Sequence, residues 1–114
     1  VSDCLFCRMV AGEIQPDVVF QDEHLLAFRD IDPQAPVHIL IVPKRHIATL
    51  DDLTDADEPL VGHLVTTAAR LARQEGIADS GYRTVLNCNA DGGQEVFHIH
   101  LHLLGGRRLG WPPG

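Results

Sequence analysis

An α+β fold is the architecture this sequence predicts: an antiparallel sheet of about five strands, one long helix packed on it, and one short N-terminal helix. Three observations predict it. Only residues 58–74 carry helical periodicity over several turns. The other apolar runs are short and joined mostly by turns, leaving few crossover helices of the kind a parallel sheet needs. A length of 114 residues makes one domain, 1–114, that can bury a single core without disulfide staples.

Taken in order, Asp3 is placed to cap a helix from Cys4 to about Ala11, with Gly12 as its stop. Leu5, Phe6 and Met9 recur at helical spacing and share a face. Val18–Phe20 and Leu25–Phe28 read as two strands around the polar turn Gln21–His24. Asp30–Pro36 is a loop by its prolines and aspartates. His38–Val42 is a strand ended by Pro43. The acidic stretch Asp51–Pro59 prepares a helix start, where carboxylates favour the positive end. The helix runs from Glu58 to Gln74, carries Leu60, Val61, Leu64, Val65, Ala68, Leu71 and Ala72, and stops near Gly76. Tyr82–Asn87 is strand-like, NADGG is a turn, Val96–Leu104 is the last long strand, and the final GGRRLGWPPG is irregular.

Charge narrows the function. A net charge of -7 and a pI near 5.3 disfavour a nucleic-acid polymer, whose phosphates need a basic stripe, though not a single nucleotide. No apolar run approaches the ~20 residues that span a bilayer. No leader for export is visible, and three cysteines, two of them close together, suit a reduced, cytoplasmic setting.

The informative stretch is VFHIHLHLLGG, Val96–Gly106. In a strand His98, His100 and His102 line one face, about 6.6 Å apart in succession, while Ile99, Leu101 and Leu103 enter the core. Ordinary exposed strand faces draw on Thr, Lys and Glu as well, so three imidazoles point to chemistry. Imidazoles at this spacing suit zinc. They also suit catalysis on phosphorus, because neutral imidazole is a nucleophile near pH 7 and charged imidazole a proton donor. The turn Asp91–Gln94, with two glycines, precedes them, and glycines let backbone N–H groups converge on an anion. An anion cradle beside a nucleophile favours phosphoryl chemistry.

His98-Ile99-His100-Leu101-His102-Leu103-Leu104 fits the histidine-triad motif His-φ-His-φ-His-φ-φ, φ apolar, at every position. The chain resembles the histidine-triad (HIT) nucleotide-binding proteins, in the branch that hydrolyses purine nucleoside phosphoramidates. The resemblance also covers FRDIDPQAPVHILIVPKRH (Phe28–His46), NADGGQ and the terminal WPPG (Trp111–Gly114). It implies that His100 is the nucleophile, that His102 contacts the phosphate and that His38 supports His102. It implies that Asn87 and the backbone at Gly93, Glu95 and Val96 hold phosphate oxygens, that Asp30 takes the ribose hydroxyls with Ile31 nearby, and that Leu5, Phe6, Met9 and Phe28 enclose the purine. Apolar residues at such spacing ordinarily just pack; only the resemblance gives those four a ligand. Many relatives carry Ser where Glu95 stands, so Glu95 is expected to act through its backbone N–H and to bias leaving-group choice.

Cys4-Leu5-Phe6-Cys7 is half of a tetrahedral zinc site. The resemblance supplies the other half, His46 and His98, and implies a structural zinc, with no cofactor needed for the chemistry. It also implies a homodimer whose two sheets join into one, with Trp111 reaching the neighbouring site. A binding protein with incidental hydrolysis, and a dinucleoside polyphosphate hydrolase, stay open as alternatives; the WPPG tail argues against the second. Cys88, His24 and His63 receive no role.

Overall fold

The computed structural model describes residues 3–114. Its elements are α1 (Leu5–Val10), β1 (Val18–Gln21), β2 (Leu25–Arg29), β3 (Val37–Pro43), α2 (Glu58–Gln74), β4 (Tyr82–Val85), α3 (Asn89–Gly92) and β5 (Leu101–Gly105). The strands form one antiparallel sheet in the order β1-β2-β3-β5-β4. The α+β expectation holds.

Strand alternation divides the sheet into two chemistries. Leu25 and Ala27, Ile39 and Ile41, and Leu101 and Leu103 face α2 and meet its Leu64, Ala68, Leu71 and Ala72, all essentially removed from solvent. Burying each such leucine or isoleucine contributes about 1.5–3 kcal/mol, which fixes the register. The opposite face presents Leu26, Phe28, Leu40 and Val42 to Phe6 of α1. Leu40 pairs with His102, and His38 with Leu104, so the functional histidines of β3 and β5 lie on the α1 side.

The long helix begins and ends where its periodicity predicts. Ahead of it stand two single 3-10 turns, Leu50–Asp52 and Asp55–Asp57. The Asp52 carboxylate takes the Thr49 N–H and hydroxyl (3.1 and 2.9 Å), and Asp57 takes the Thr54 N–H (2.9 Å) and the Arg45 guanidinium. The acidic stretch therefore spends its charge on turns as well as on the helix end.

Strands β1, β2 and β3 run a residue longer than expected at one or both ends, and four other elements also differ. The cap of α1 is Cys4, whose Sγ accepts the Cys7 N–H, rather than Asp3, and the helix is one residue shorter at each end. β4 stops at Val85. The NADGG turn contains a helical turn, closed by Gly93 at φ +80°. β5 starts at Leu101, not Val96. Continuing the β3–β5 register would set Ile99 against Pro43, which has no N–H for a ladder. The Ile99 N–H goes instead to Ile47 O (2.8 Å), and the Pro43 carbonyl accepts His98 Nε2–H (2.7 Å). His98 and His100 thus precede the paired strand, and neither is on a solvated face.

His63 also has a partner. Its Nε2 lies 2.7 Å from Asp22 Oδ2, tying the β1–β2 turn to α2. Burial pushes the Asp22 carboxyl up, but the His63 bond and the N–H groups of His24 and Leu25 outweigh it and hold the pKa at about 2.

Candidate active site and metal centre

His38 and His102 come from paired strands, and His100 from the segment leading into β5. The rings of His100 and His102 are 5.0 Å apart, and those of His38 and His102 5.2 Å. Fixed backbone groups decide where each ring carries its proton. His100 Nδ1 lies 2.8 Å from the His98 carbonyl, which only accepts, so Nδ1 bears the hydrogen and Nε2 offers a lone pair. His38 is anchored in the opposite sense. The Gln34 N–H donates to its Nδ1 (3.0 Å), which leaves the hydrogen on Nε2. That Nε2 sits 2.9 Å from His102 Nδ1 and 3.4 Å from Asp30 Oδ2. His102 Nδ1 accepts, so its own hydrogen is on Nε2.

Charge on these rings is suppressed. Burial, reinforced by His100 and His38 and opposed by Asp30, pushes His102 down to about 4. Burial also lowers His38, against the pull of Asp30 and Asp32. Both are neutral at pH 7.

Every residue that the resemblance places at the nucleotide or in catalysis lines one cavity of about 880 Å³. Its apolar end is Leu5, Phe6 and Met9 from α1 with Phe28 from β2. Phe6 is buried and packs edge-on against Phe28 (5.6 Å) and His100 (5.1 Å), so it is both wall and support. Ile31 is fully exposed at the lip, with nothing packed on it. Asp30 Oδ1 takes the Asp32 N–H (2.8 Å), and Oδ2 faces His38.

The anion cradle differs in one detail from expectation. The Gly93 N–H is already bonded to Ala90 O (3.0 Å). Among the described residues, the amides of Glu95 and Val96 and the Asn87 side chain have no protein partner, so these are the donors left for an oxyanion. Gly93 contributes its left-handed turn, φ +80°, which a side chain rarely adopts.

Gln94 was not singled out by sequence. It is buried; its Nε2 donates to Ala48 O (2.8 Å) and Val96 O (3.1 Å), and its Oε1 accepts the Asn89 N–H (2.9 Å). It pins the loop that presents the free amides. Its signal is nearly absent, since a Gln after two glycines reads as solvated turn. Asp17, Asp32, Gln34 and Arg29 also line the cavity without having been identified.

Cys4, Cys7, His46 and His98 converge at the other end of α1, with all four donor atoms within 4.8 Å of one another. Cys4 Sγ–His98 Nδ1 is 3.3 Å, Cys7 Sγ–His46 Nδ1 3.3 Å, Cys7 Sγ–His98 Nδ1 3.5 Å and His46 Nδ1–His98 Nδ1 3.2 Å. Tetrahedral zinc with its usual bond lengths needs ligand–ligand edges of about 3.3–3.8 Å. His98, donating Nε2–H to Pro43 O, turns the lone pair of Nδ1 to the thiols, and a backbone carbonyl behind a ligand histidine is the usual second support. Burial lowers the His98 pKa, keeping the ring neutral as a ligand must be. The donor set fits zinc. Asp30, His38 and His102 also cluster within 4.8 Å, but the Gln34 N–H obliges His38 to keep hydrogen on the nitrogen a metal would need. That trio is a hydrogen-bond relay.

The profile of the HIT domain family matches residues 11–109. The chain is 52% identical over 113 residues to an uncharacterised HIT-like protein of Synechococcus elongatus, covering 99% of the chain and 98% of the relative. It is 52% identical over 109 residues to a purine nucleoside phosphoramidase of Escherichia coli, covering 96% and 92%. A crystal structure of a HIT family hydrolase from Legionella pneumophila superposes with a TM-score of 0.97 at 57% identity, over 98% of this chain and 100% of that one. A histidine triad protein from Clostridium difficile gives 0.93 at 42% identity, over 96% of each. Among the described residues, no helix is long and apolar enough to cross a membrane.

Proposed function

The chain belongs to the HIT domain family, and from that footing we propose that it hydrolyses the P–N bond of purine nucleoside phosphoramidates through a nucleotidyl–His100 intermediate. The observation that carries this reading is the opposed protonation of two imidazoles in one cavity: His100 offers a bare Nε2 and His102 an Nε2–H.

The purine occupies the apolar end, between Leu5, Met9 and Phe28 and against Phe6. Asp30 accepts the ribose hydroxyls, with Ile31 covering the sugar. Phosphate oxygens take the Asn87 amide, the N–H groups of Glu95 and Val96 and the His102 Nε2–H, with Gly93 shaping the turn. These donors strengthen as charge builds on oxygen, which is where preorganised dipoles accelerate most. His100 Nε2 forms the bond to phosphorus while the P–N bond to the leaving group breaks, and the departing nitrogen takes a proton from solvent, one that the water of the second step gives back, so that it leaves as a neutral amine. Water then attacks phosphorus, the His100–phosphorus bond breaks, and the nucleoside monophosphate is released.

Charge supports an amine over a polyphosphate as leaving group. The cavity is lined by Asp17, Asp30, Asp32 and Glu95, and among the described residues its one guanidinium, Arg29, is bound by both oxygens of Glu75 (2.9 and 3.1 Å). Several anionic phosphates would meet unbalanced carboxylates.

Zinc held by Cys4, Cys7, His46 and His98 supplies a structural cross-link between α1 and the segment before β5. The unit is proposed to be a homodimer joined at β4. The other edge strand, β1, carries a bulge between Val18 and Phe20 that blunts pairing, whereas β4 does not.

The test is turnover of an adenosine phosphoramidate. His100→Ala should lose more than about a thousandfold in kcat, as loss of a nucleophile does, while still binding AMP by calorimetry. Quenching the wild-type reaction should trap a nucleotidyl group on His100 in a peptide digest. Full activity in His100→Ala would refute the scheme.

A further inference from the structure

The relay that sets the protons of His38 and His102 begins at the backbone of Gln34, in a loop with no regular structure. What holds Gln34 in place comes from the far end of the chain. Arg107, two residues beyond β5, donates from Nε (3.1 Å) and from Nη2 (3.0 Å) to the Gln34 carbonyl, and from Nη1 to its neighbour's carbonyl, Arg108 O (3.1 Å). The guanidinium makes no ion pair among the described residues. An exposed arginine that gives three donors to main-chain oxygens and none to a carboxylate is acting as a backbone clamp. Its neighbour explains the approach. Gly106 adopts φ +91°, and a Cβ there would lie 2.9 Å from Pro36 Cβ, so only glycine lets the strand end lie against this loop.

We propose that Arg107 is a positioning residue for the catalytic relay: by fixing Gln34 it keeps the Gln34 N–H on His38 Nδ1, and thereby keeps hydrogen on His38 Nε2 and on His102 Nε2. The sequence gives no hint of this, since Gln34 and Arg107 are 73 positions apart. Without the clamp the Gln34 amide swings off His38, and the ring is free to carry its hydrogen on Nδ1. His102 would then lose its donor and the phosphate its Nε2–H. No proton is gained or lost in this change; only its address moves. Asp30 Oδ2, 3.4 Å from His38 Nε2, is the remaining group that favours hydrogen on Nε2, so the shift should be partial.

This rests on the proposed role of His102, and the experiment separates the two. In Arg107→Ala, kcat on an adenosine phosphoramidate should fall about tenfold or more, as expected of a small misplacement behind the reacting groups, with KM little changed, because the purine wall lies elsewhere. Arg107→Lys, which restores one donor to the carbonyl, should recover part of the loss. In a His38→Ala background the same Arg107→Ala change should cost nothing further, because the link it acts through is gone. A general loss of fold would add in both backgrounds. The direct readout is the ¹⁵N spectrum of labelled histidines. The wild type should show His38 and His102 as single Nε2–H tautomers, and Arg107→Ala, or Arg107→Lys if the alanine variant is not soluble, should show His38 as a mixture. An unchanged His38 signature with full kcat, or an equal loss in both backgrounds, would overturn the proposal. If the wild type fails to turn over phosphoramidates, the functional reading falls, and the tautomer spectra still decide whether Arg107 sets the relay.

Discussion

His102 shows how burial makes a residue useful and vulnerable at once. Its folded pKa is about 4, against about 6.5 in an unfolded chain. Between those values the unfolded state binds the extra proton, so stability is whole above pH 6.5 and is lost as pH falls towards 4. His38 shifts the same way. Urea melts at pH 7.5, 6 and 5 should therefore show decreasing stability, with His102→Asn shallower by up to about 1.4 kcal/mol per pH unit, the linkage of one proton. A flat wild-type profile would contradict the neutral relay. At the lip, Glu95 is exposed and lines both the nucleotide cavity and the smaller one beside the cysteines. In the proposed scheme its N–H holds the phosphate and its carboxylate meets the departing group. Glu95→Ser should raise relative turnover of substrates with anionic leaving groups by roughly fivefold, the worth of about 1 kcal/mol of repulsion. An unchanged leaving-group profile would remove Glu95 from specificity.

At the level of elements, what was legible followed from how long a pattern persists. Helix α2 was read to its ends because 17 residues of 3.6 periodicity leave little freedom. β5 was read five residues too long at its start, because alternation reports which way side chains point and says nothing of whether the backbone is paired; Pro43 on the facing strand decided that. The triad, the Cys-x-x-Cys and the glycine turn were legible as types of chemistry. Gln94, Gln34 and Arg107 were not, because a polar side chain bonded to a distant carbonyl looks in sequence like one bonded to water. His63 receives no role from sequence for the same reason, its partner Asp22 being 41 residues away. The junction of β5 with the loop after β2 is sensitive as well. Gly106→Ala combines a disfavoured φ with a contact against Pro36 and should cost roughly 1–3 kcal/mol. Because that loop carries Asp30 and Gln34, activity measured well below the melting point should fall too. Wild-type stability and turnover in this variant would mean that the loop moves aside freely.

Considered whole, the molecule stakes one wall of its large cavity on a short helix. α1 has six residues, too few for a helix to persist in water without tertiary support. Among its described residues only Phe6 is fully buried, while Leu5 and Met9 line the cavity. Met9 and Val10 add half-buried packing beside Phe6, and the other attachment is Cys4 and Cys7, meeting His98 on the segment before β5 and His46 after β3. A metal bound there stabilises the fold by mass action, about 2.7 kcal/mol when free metal is a hundredfold above its dissociation constant. For a chain of this size that is a melting shift on the order of 10 °C. Chelation should lower the melting point accordingly and weaken AMP binding more than it lowers kcat, because α1 walls the purine while His100 and His102 are held by carbonyls and strands. Cys4→Ser with Cys7→Ser should reproduce the loss and no longer respond to chelator. Stoichiometric zinc in protein purified without added metal is the companion measurement. If zinc is absent, or if stripping it leaves both melting point and AMP affinity unchanged, α1 is held by Phe6 and its neighbours, and the four donors are a cluster without a metal's work to do.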